Sequence, residues 1–140
     1  MKVYNFNKVN LIITKPDGSQ FYVTGFKEGT NIEAERETDK YTIHKSAKGD
    51  RVAFAATNDR SGTIQFTLMS DSNLCNKELQ KLADAEEEFD AQIVDGNDTT
   101  KSNVTATTCV IKKPAKYDRG QEITDSQWVI WAGIMEMDYD

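Results

Sequence analysis

The sequence contains few of the residues from which reactive or metal-binding sites are built. Its 140 residues include one histidine, His44, and two cysteines, Cys75 and Cys109. A zinc site of the two-histidine type therefore cannot form within one chain. The two cysteines form no Cys-x-x-Cys pair and provide no disulfide framework. We therefore expect no metal site and two reduced thiols that are buried or partly buried.

Motifs for catalysis and segments for membrane insertion are lacking too. The chain has neither a nucleophile elbow nor a glycine-rich phosphate loop, and the stretch DGND at residues 95–98 lacks the closing glutamate of a calcium loop. The 23 acidic residues make close carboxylate pairs inevitable, but their spacing selects none as a general acid and base. The apolar runs are too short for a bilayer span, and residues 1–8 contain no apolar core of a secretory signal. We predict a non-enzymatic protein, made in the cytosol, with no catalytic residues, no cofactor and no membrane partner.

Basic residues are outnumbered by acidic ones. The chain has 17 lysines and arginines against 23 aspartates and glutamates, which gives a net charge of −6. A protein that grips nucleic acid needs a basic face to neutralise phosphates, so this composition argues against such binding. The acidic composition is compatible with a protein along which nucleic acid moves without binding.

Proline and glycine are also scarce, with two and eight residues, and the chain contains no linker, repeat or low-complexity segment. A chain of this length forms one domain, here residues 1–140. Residues 9–24 predict a hairpin around the turn sequence KPDG. Residues 31–37 and 62–68 show the clearest half-buried strand alternation. Further strands are predicted at residues 91–94, 104–111 and 127–137, with a polar loop at 95–102.

One segment departs from the strand pattern and predicts a helix over residues 73–87. Asp71 or Ser72 can cap it, and apolar residues recur on one side at helical spacing. These residues are Leu74, Cys75, Leu79, Leu82 and Ala83. We therefore predict a mainly β fold with one α-helix, organised as a β-sandwich or a partly closed barrel.

Residues 38–60, between the two clearest strands, do not resemble a core. The segment is charged, yet its aromatic and β-branched residues favour an ordered hairpin over disorder. An extended arm cannot bury its apolar side chains against itself, so we expect it to need a partner surface. The alternative is a hairpin folded back onto its own domain. The predicted contact residues are Tyr41, Ile43, His44, Lys45, Lys48, Asp50, Arg51, Val52 and Phe54.

Two charged clusters, one acidic and one basic, are candidates for subunit contacts. The acidic cluster, Glu86, Glu87 and Glu88, follows the helix at the end where the macrodipole disfavours negative charge. The basic cluster comprises Lys112, Lys113, Lys116 and Arg119. The two clusters are either solvated surface or the two halves of a head-to-tail interface, which closes into a ring or extends as a filament.

Three stretches of the sequence resemble the tail tube proteins of contractile-tailed bacteriophages. They are residues 3–9 (VYNFNKV), 57–68 (TNDRSGTIQFTL) and 111–115 (IKKPA), and the order of elements matches over almost the whole chain. The resemblance implies a sandwich or barrel with one helix, six copies of which close into a ring. It also implies that rings stack into a tube, and that residues 38–60 form the arm that contacts the adjacent ring.

The resemblance further implies that one polar face of the sheet lines the channel of the tube. The side chains expected to face this lumen are Glu33, Glu35, Glu37, Thr63, Gln65 and Thr67. Such a surface repels phosphate and offers it no guanidinium, so DNA can pass without specific binding. The alternative is a face that meets bulk water. Arg36 lies on the apolar side of its strand, and we expect it to reach a carboxylate at an interface.

The implied partners are further copies of the chain, a tail sheath protein, a tape-measure protein, and baseplate and tail-terminator proteins. The implied location is a virion tail, assembled in the bacterial cytoplasm. One alternative is the inner tube of a contractile injection or secretion system. Another is a monomeric β-sandwich that binds a ligand through Trp128, Trp131 and Tyr117. Because the two tryptophans are three positions apart on one strand, they point to opposite faces and at least one belongs to the core, which weakens this alternative.

Overall fold

The computed structural model describes residues 3–71, 74–97 and 102–138, and the regular structure in these ranges is mainly β. A short 3₁₀ helix lies at Phe6–Lys8, and the α-helix α1 lies at Leu74–Asp84. The strands are β1 (Val9–Thr14), β2 (Gln20–Tyr22), β3 (Glu33–Arg36), β4 (Tyr41–Lys45), β5 (Val52–Ala56), β6 (Gly62–Met69), β7 (Phe89–Asp95), β8 (Ser102–Lys113) and β9 (Asp125–Asp138). The predicted mainly β fold with one helix is confirmed.

Seven of these strands form one antiparallel sheet, in the order β2-β1-β7-β8-β9-β6-β3. The hairpin predicted over residues 9–24 is present, since Ile12 lies opposite Tyr22 and Thr14 opposite Gln20. Its turn places Gly18 at a φ of 89°, in the left-handed region that glycine enters without steric cost. Proline and glycine thus set this turn where the sequence predicted it.

The sheet curls around its own interior without closing into a barrel. After β2 the chain turns towards β6, where Phe26 forms an isolated bridge with Leu68. The N–H of Met69 donates to the Gly25 carbonyl at 2.9 Å, and the N–H of Lys27 donates to a β6 carbonyl at 3.1 Å. These few bonds bring the β2 side of the sheet to β6. Of the two predicted architectures, the structure has the partly closed, single curled sheet.

The core lies inside this curl and is completed by α1. Strand β6 alternates strictly, with Ile64, Phe66 and Leu68 buried and the intervening side chains partly exposed. The helix contributes three buried residues, Cys75, Leu79 and Leu82. Leu74, the first residue of the helix and predicted on the same apolar face, is instead 66% exposed.

Several element boundaries differ from the prediction. Strand β3 has four residues where 31–37 was expected, whereas β8 and β9 extend beyond 104–111 and 127–137. The long strands arise because β8 and β9 pair with each other from Asn103 opposite Asp138 onward. Ser72, a predicted helix cap, and residues 98–101 of the predicted polar loop lie outside the described residues.

Candidate assembly surfaces

Strands β4 and β5 and their turn form a hairpin that is separate from the seven-stranded sheet. They pair from Tyr41 opposite Ala56 to Lys45 opposite Val52, and all ten strand residues are exposed. A hairpin folded back onto its own domain would bury part of this surface, so that alternative does not describe the structure. We call β4, β5 and their turn the arm hairpin.

The arm hairpin has two chemically different faces, because residues directly opposite each other in a ladder point to the same side. The apolar face carries Tyr41, Ile43, Val52 and Phe54, which are 53%, 57%, 56% and 66% exposed. The polar face carries Thr42, His44, Ala53 and Ala55. The rings of Tyr41 and Phe54 meet edge to face with centroids 6.4 Å apart. His44, predicted among the contact residues, thus lies on the opposite side from the apolar set.

The turn of the arm hairpin is held by its own polar groups. The Ser46 hydroxyl donates to Asp50 Oδ1 at 2.6 Å and accepts from the Arg51 N–H at 3.1 Å. The Ser46 N–H donates to the Arg51 carbonyl at 3.0 Å. Asp50, predicted as a contact residue, is therefore engaged within the turn, while Lys48 and Arg51 remain exposed.

Two arginines and one glutamate connect the base of the arm to the end of β9. Arg60 donates to the Glu136 carboxylate, and the Arg36 guanidinium lies 3.9 Å from the other oxygen of that carboxylate. Arg36 also donates to the Met135 carbonyl at 3.0 Å, and the Met135 N–H donates to the Arg60 carbonyl at 2.8 Å. Arg36 was expected to reach another subunit. The structure gives it partners in its own chain because β3 and β9 flank the start of β6.

The side chains predicted to face the lumen lie together on the outer face of the sheet. Across β3 and β6, Glu33 lies opposite Gln65 and Glu35 opposite Thr63. Thr67 continues this face towards the end of β6. The two glutamates are exposed, and the three β6 residues are partly exposed. The structure thus places these residues on one continuous polar surface.

A cation and an indole also lie on this outer face, and the sequence patterns did not reveal them. Lys112 of β8 borders the same shallow pocket as Glu35 and Glu37, and its ammonium is 5.3 Å from the ring centroid of Trp131. Such cation–π contacts hold a lysine over an aromatic face. Glu37 itself lies just beyond β3, where its N–H donates to the Ser61 carbonyl at 3.1 Å. Lys112, predicted for a subunit interface, therefore lies on the face predicted for the lumen.

The acidic cluster directly follows α1 and is fully displayed at the surface, with Glu86, Glu87 and Glu88 exposed. The helix ends with the N–H of Glu87 donating to the Leu82 carbonyl and that of Glu86 to the Ala83 carbonyl, both at 3.3 Å. This is a Schellman motif, in which glycine usually occupies the left-handed position. Here Glu86 has that conformation, with a φ of 54°.

The rest of the basic cluster lies at the end of β8 and on the segment before β9, where Lys113, Lys116 and Arg119 are exposed. The Arg119 guanidinium stacks over the Tyr117 ring at 4.2 Å from its centroid. Within the described ranges, no ion pair joins the acidic to the basic cluster. Both clusters are therefore accessible to other molecules.

A groove of about 760 Å³ opens at the end of the sheet remote from α1. Val9, at the start of β1, lines this groove, whereas Lys15, just beyond the end of β1, contacts α1 through Glu78 at 2.6 Å. We call it the end groove. Its walls come from the N-terminal segment, from residues before β3 and from the ends of β7, β8 and β9. No local sequence pattern could have shown that these distant segments meet.

The two tryptophans point to opposite sides of β9, as their spacing predicted. Trp128 is 2% exposed and donates its indole N–H to Asn76 Oδ1 at 2.9 Å, whereas Trp131 is 48% exposed. The two tryptophan rings therefore share no surface on which a ligand could stack, whereas Trp128 and Tyr117 border one pocket.

Both cysteines are buried and neither forms a disulfide, as expected. Burial, together with the nearby Asp90 carboxylate, raises the pKa of the Cys109 thiol to about 12, so this thiol is protonated and unreactive at neutral pH. In residues 3–71, 74–97 and 102–138, no three histidine, cysteine or acidic side chains are placed to hold a metal ion. No helix in these ranges has the length and apolar character of a membrane span.

No known protein family and no curated protein matches the sequence. Solved structures do match. A chain of the anti-feeding prophage baseplate has a TM-score of 0.64 and 9% identity, over 93% of this chain and 91% of that one. A chain of the sheath–tube complex of the extracellular contractile injection system PVC has a TM-score of 0.57 and 13% identity, over 91% and 87%. A chain from the tail of an empty GTA particle, solved with C6 symmetry, has a TM-score of 0.55 and 12% identity, over 97% and 99%. This chain has a tail-tube-type fold.

The tail-tube-type fold confirms the likeness to tail tube proteins that the sequence predicted. The neighbours are parts of tails, tubes and baseplates rather than enzymes. On this fold the chain displays four surfaces of interest: the arm hairpin, the outer sheet face, the two charge clusters and the end groove.

Proposed function

We propose that the chain is a structural subunit of the inner tube of a contractile bacteriophage tail. Six copies close into a ring, and rings stack into a conduit through which DNA is ejected. The observation that carries this proposal is the arm hairpin, whose apolar face is more than half exposed at each of its four large side chains. An exposed apolar strand pair promotes aggregation in a monomer. In an assembly, a further copy of the chain covers the same surface and the contact holds the copies together.

The outer sheet face supports the conduit part of the proposal. It combines exposed glutamates of β3 with the uncharged polar side chains of β6, as a surface that repels phosphate requires. Lys112 is one cation described on this face, and its ammonium is held over the Trp131 ring. Arg36 borders the same pocket as this lysine, and its guanidinium donates to the Met135 carbonyl and lies near the Glu136 carboxylate. Cations held in this way among carboxylates give DNA little to bind.

The partners that follow from this proposal are further copies of the chain, a sheath protein around the tube and a tape-measure protein inside it during assembly. Baseplate and terminator proteins bind the ends. The tube is then part of the virion tail and forms in the cytoplasm of the bacterial host. The arm hairpin makes the contact between adjacent rings. The acidic cluster, together with Lys113, Lys116 and Arg119 of the basic cluster, contributes to contacts between subunits.

Assembly of the purified chain tests the proposal. The Lys40 carbonyl accepts from the Thr57 N–H at 2.7 Å, so residues 41–56 can be replaced by a two-residue Asn-Gly turn without opening the base of the arm. We expect the natural chain to form rings with a central hole, and tubes, in negative-stain micrographs and light scattering. The shortened variant is expected to keep its β-sheet circular dichroism and to lose stacked tubes. A natural chain that stays monomeric at high concentration contradicts the proposal, and long tubes of the shortened variant contradict the role of the arm.

A second candidate is the inner tube of a contractile injection system, which carries protein instead of DNA. It is favoured because the sheath–tube neighbour comes from an extracellular contractile injection system. Reversing charge with Glu35→Lys and Glu37→Lys separates the two functions. We expect variant tubes to form but to retain DNA and impair infection, with Glu35→Gln and Glu37→Gln as the matched neutral control. Normal DNA delivery by the lysine variant excludes the DNA conduit role of this face.

A further inference from the structure

The end groove has an apolar floor and an aromatic wall. The chain's own arm hairpin does not fill this groove. Tyr4 and Phe6 of the N-terminal segment form one wall and are 67% and 37% exposed. Ile32, Ile93 and Val104 form the floor, where they also pack against the buried core. Because these apolar side chains face an open cleft, covering them releases ordered water and is favourable.

The charged side chains that line the end groove are all acidic. Its acidic side chains are Glu33, Asp95 and Asp138, and its described lining includes no lysine or arginine. The Asn97 N–H and side chain hydrogen-bond to Asp95, which lowers the pKa of this carboxyl and keeps it ionised at neutral pH. Asn103 also lines the groove, and its buried Oδ1 has no hydrogen-bond partner. The groove therefore offers negative charge and an unpaired acceptor, and a complementary occupant carries positive charge. Glu33, predicted for the lumen, borders this groove as well.

The arm hairpin is such a complementary element. Residues 41–56 contain Lys45, Lys48 and Arg51 against one acidic residue, Asp50, which gives the hairpin a charge of +2. Since the whole chain carries −6, the remaining residues carry −8. Lys45 lies opposite Val52 on the apolar face, so an ammonium sits at the edge of the apolar surface. Apolar surface bordered by cations matches a groove with an apolar floor bordered by carboxylates.

We infer that the end groove of one copy receives the apolar face of the arm hairpin of a second copy. This inference rests on the proposed tube function and names the acceptor site for its arm. The hairpin and its own groove are not in contact, because every strand residue of the hairpin is exposed and Arg36, Arg60 and Glu136 hold its base. Because the arm hairpin and the end groove are different surfaces of the chain, their contact is heterologous and can repeat from copy to copy.

Cysteine cross-linking tests the contact directly. The pair Ile43→Cys and Tyr4→Cys places one thiol on the apolar face and one in the groove, and the native Cys75 and Cys109 are buried. With a short bis-maleimide, we expect assembled material to give a ladder of linked copies. The matched control pairs Tyr4→Cys with Ala53→Cys on the polar face, and we expect at least tenfold less linked product. Equal linking of both pairs, or none, in tubes that form normally overturns the groove assignment and leaves the tube function standing. A chain that never assembles overturns both.

Charge exchange between copies gives an independent test. The groove variant (Glu33→Lys, Asp138→Lys) and the hairpin variant (Lys45→Glu, Arg51→Glu) each place like charges across the proposed contact. We expect each variant alone to need at least a tenfold higher concentration to assemble, with unchanged circular dichroism. In an equimolar mixture each reversed groove meets a reversed hairpin, so we expect assembly to return. Because mixing cannot repair a misfolded subunit, a mixture of folded variants that stays unassembled overturns the charge pairing.

Discussion

Phe54→Ala is the substitution that most directly measures what the apolar face of the arm hairpin contributes to assembly. Phe54 is 66% exposed in the single chain. A phenylalanine side chain of about 200 Å² therefore offers roughly 130 Å² for a second copy to cover, which at about 25 cal/mol per Å² corresponds to ~3 kcal/mol. Alanine retains part of this area, so we expect a loss of about 2 kcal/mol per contact. That loss weakens each contact by about 30-fold.

The assay is the critical concentration for assembly, measured by sedimentation at fixed salt and temperature. We expect it to rise by about the same factor as the loss of contact affinity, while the melting temperature of the unassembled chain changes little because Phe54 packs mainly on Tyr41. His44→Ala is the matched control, since His44 is exposed on the polar face of the same hairpin. A critical concentration for Phe54→Ala within threefold of the natural chain, or equal to that of His44→Ala, refutes the reasoning.

Three further predictions concern the folded chain itself. Glu86→Gly places glycine at a left-handed position and removes a carboxylate from the helix C-terminus. We expect the free energy of unfolding to rise by about 1 kcal/mol in denaturant titrations. An unchanged or lower free energy of unfolding contradicts this prediction. The hydrogen bond and ion pair with Lys15 lower the pKa of the Glu78 carboxyl from its ordinary value of 4.5. The Lys15–Glu78 pair therefore stabilises the fold fully above pH 4.5, and this stabilisation is lost as the pH falls through the lowered pKa. Glu78→Gln is therefore expected to lower the melting temperature at pH 7, and by a shrinking amount as the pH falls below 4.5. With a thiol pKa of about 12, Cys109 should react with Ellman's reagent at pH 8 only after unfolding in urea; rapid labelling of the native chain contradicts its burial.

Features with a local period were predictable because a side chain's position along an element decides which way it points. The strict alternation of β6 and the opposite directions of Trp128 and Trp131 follow this rule. The turn at Gly18 was predictable from the local preferences of proline and glycine. The arm was predictable for a related reason. Residues 38–60 contain apolar side chains in a charged context, and such a segment cannot supply its own core.

Features that depend on pairing between distant segments were not predictable. The two faces of the arm hairpin follow from the register that sets Ile43 opposite Phe54, and shifting that register by one residue reverses every side chain. Arg36 finds Glu136 because β3 and β9 both flank β6, and Lys112 reaches the outer face because β8 lies beside β9. Strand order decides these contacts.

By itself, the sequence determined that this chain is a mainly β domain with one helix, a hairpin arm and no recognisable catalytic apparatus. Composition and short-range periodicity decide these properties residue by residue. Only the tertiary structure decided where the surfaces lie, because the curl of the seven-stranded sheet brings Tyr4, Ile32 and Val104 into one groove from three distant parts of the chain. A complementary arm and groove on one polypeptide is a property of the folded surface, which no single stretch of the sequence encodes.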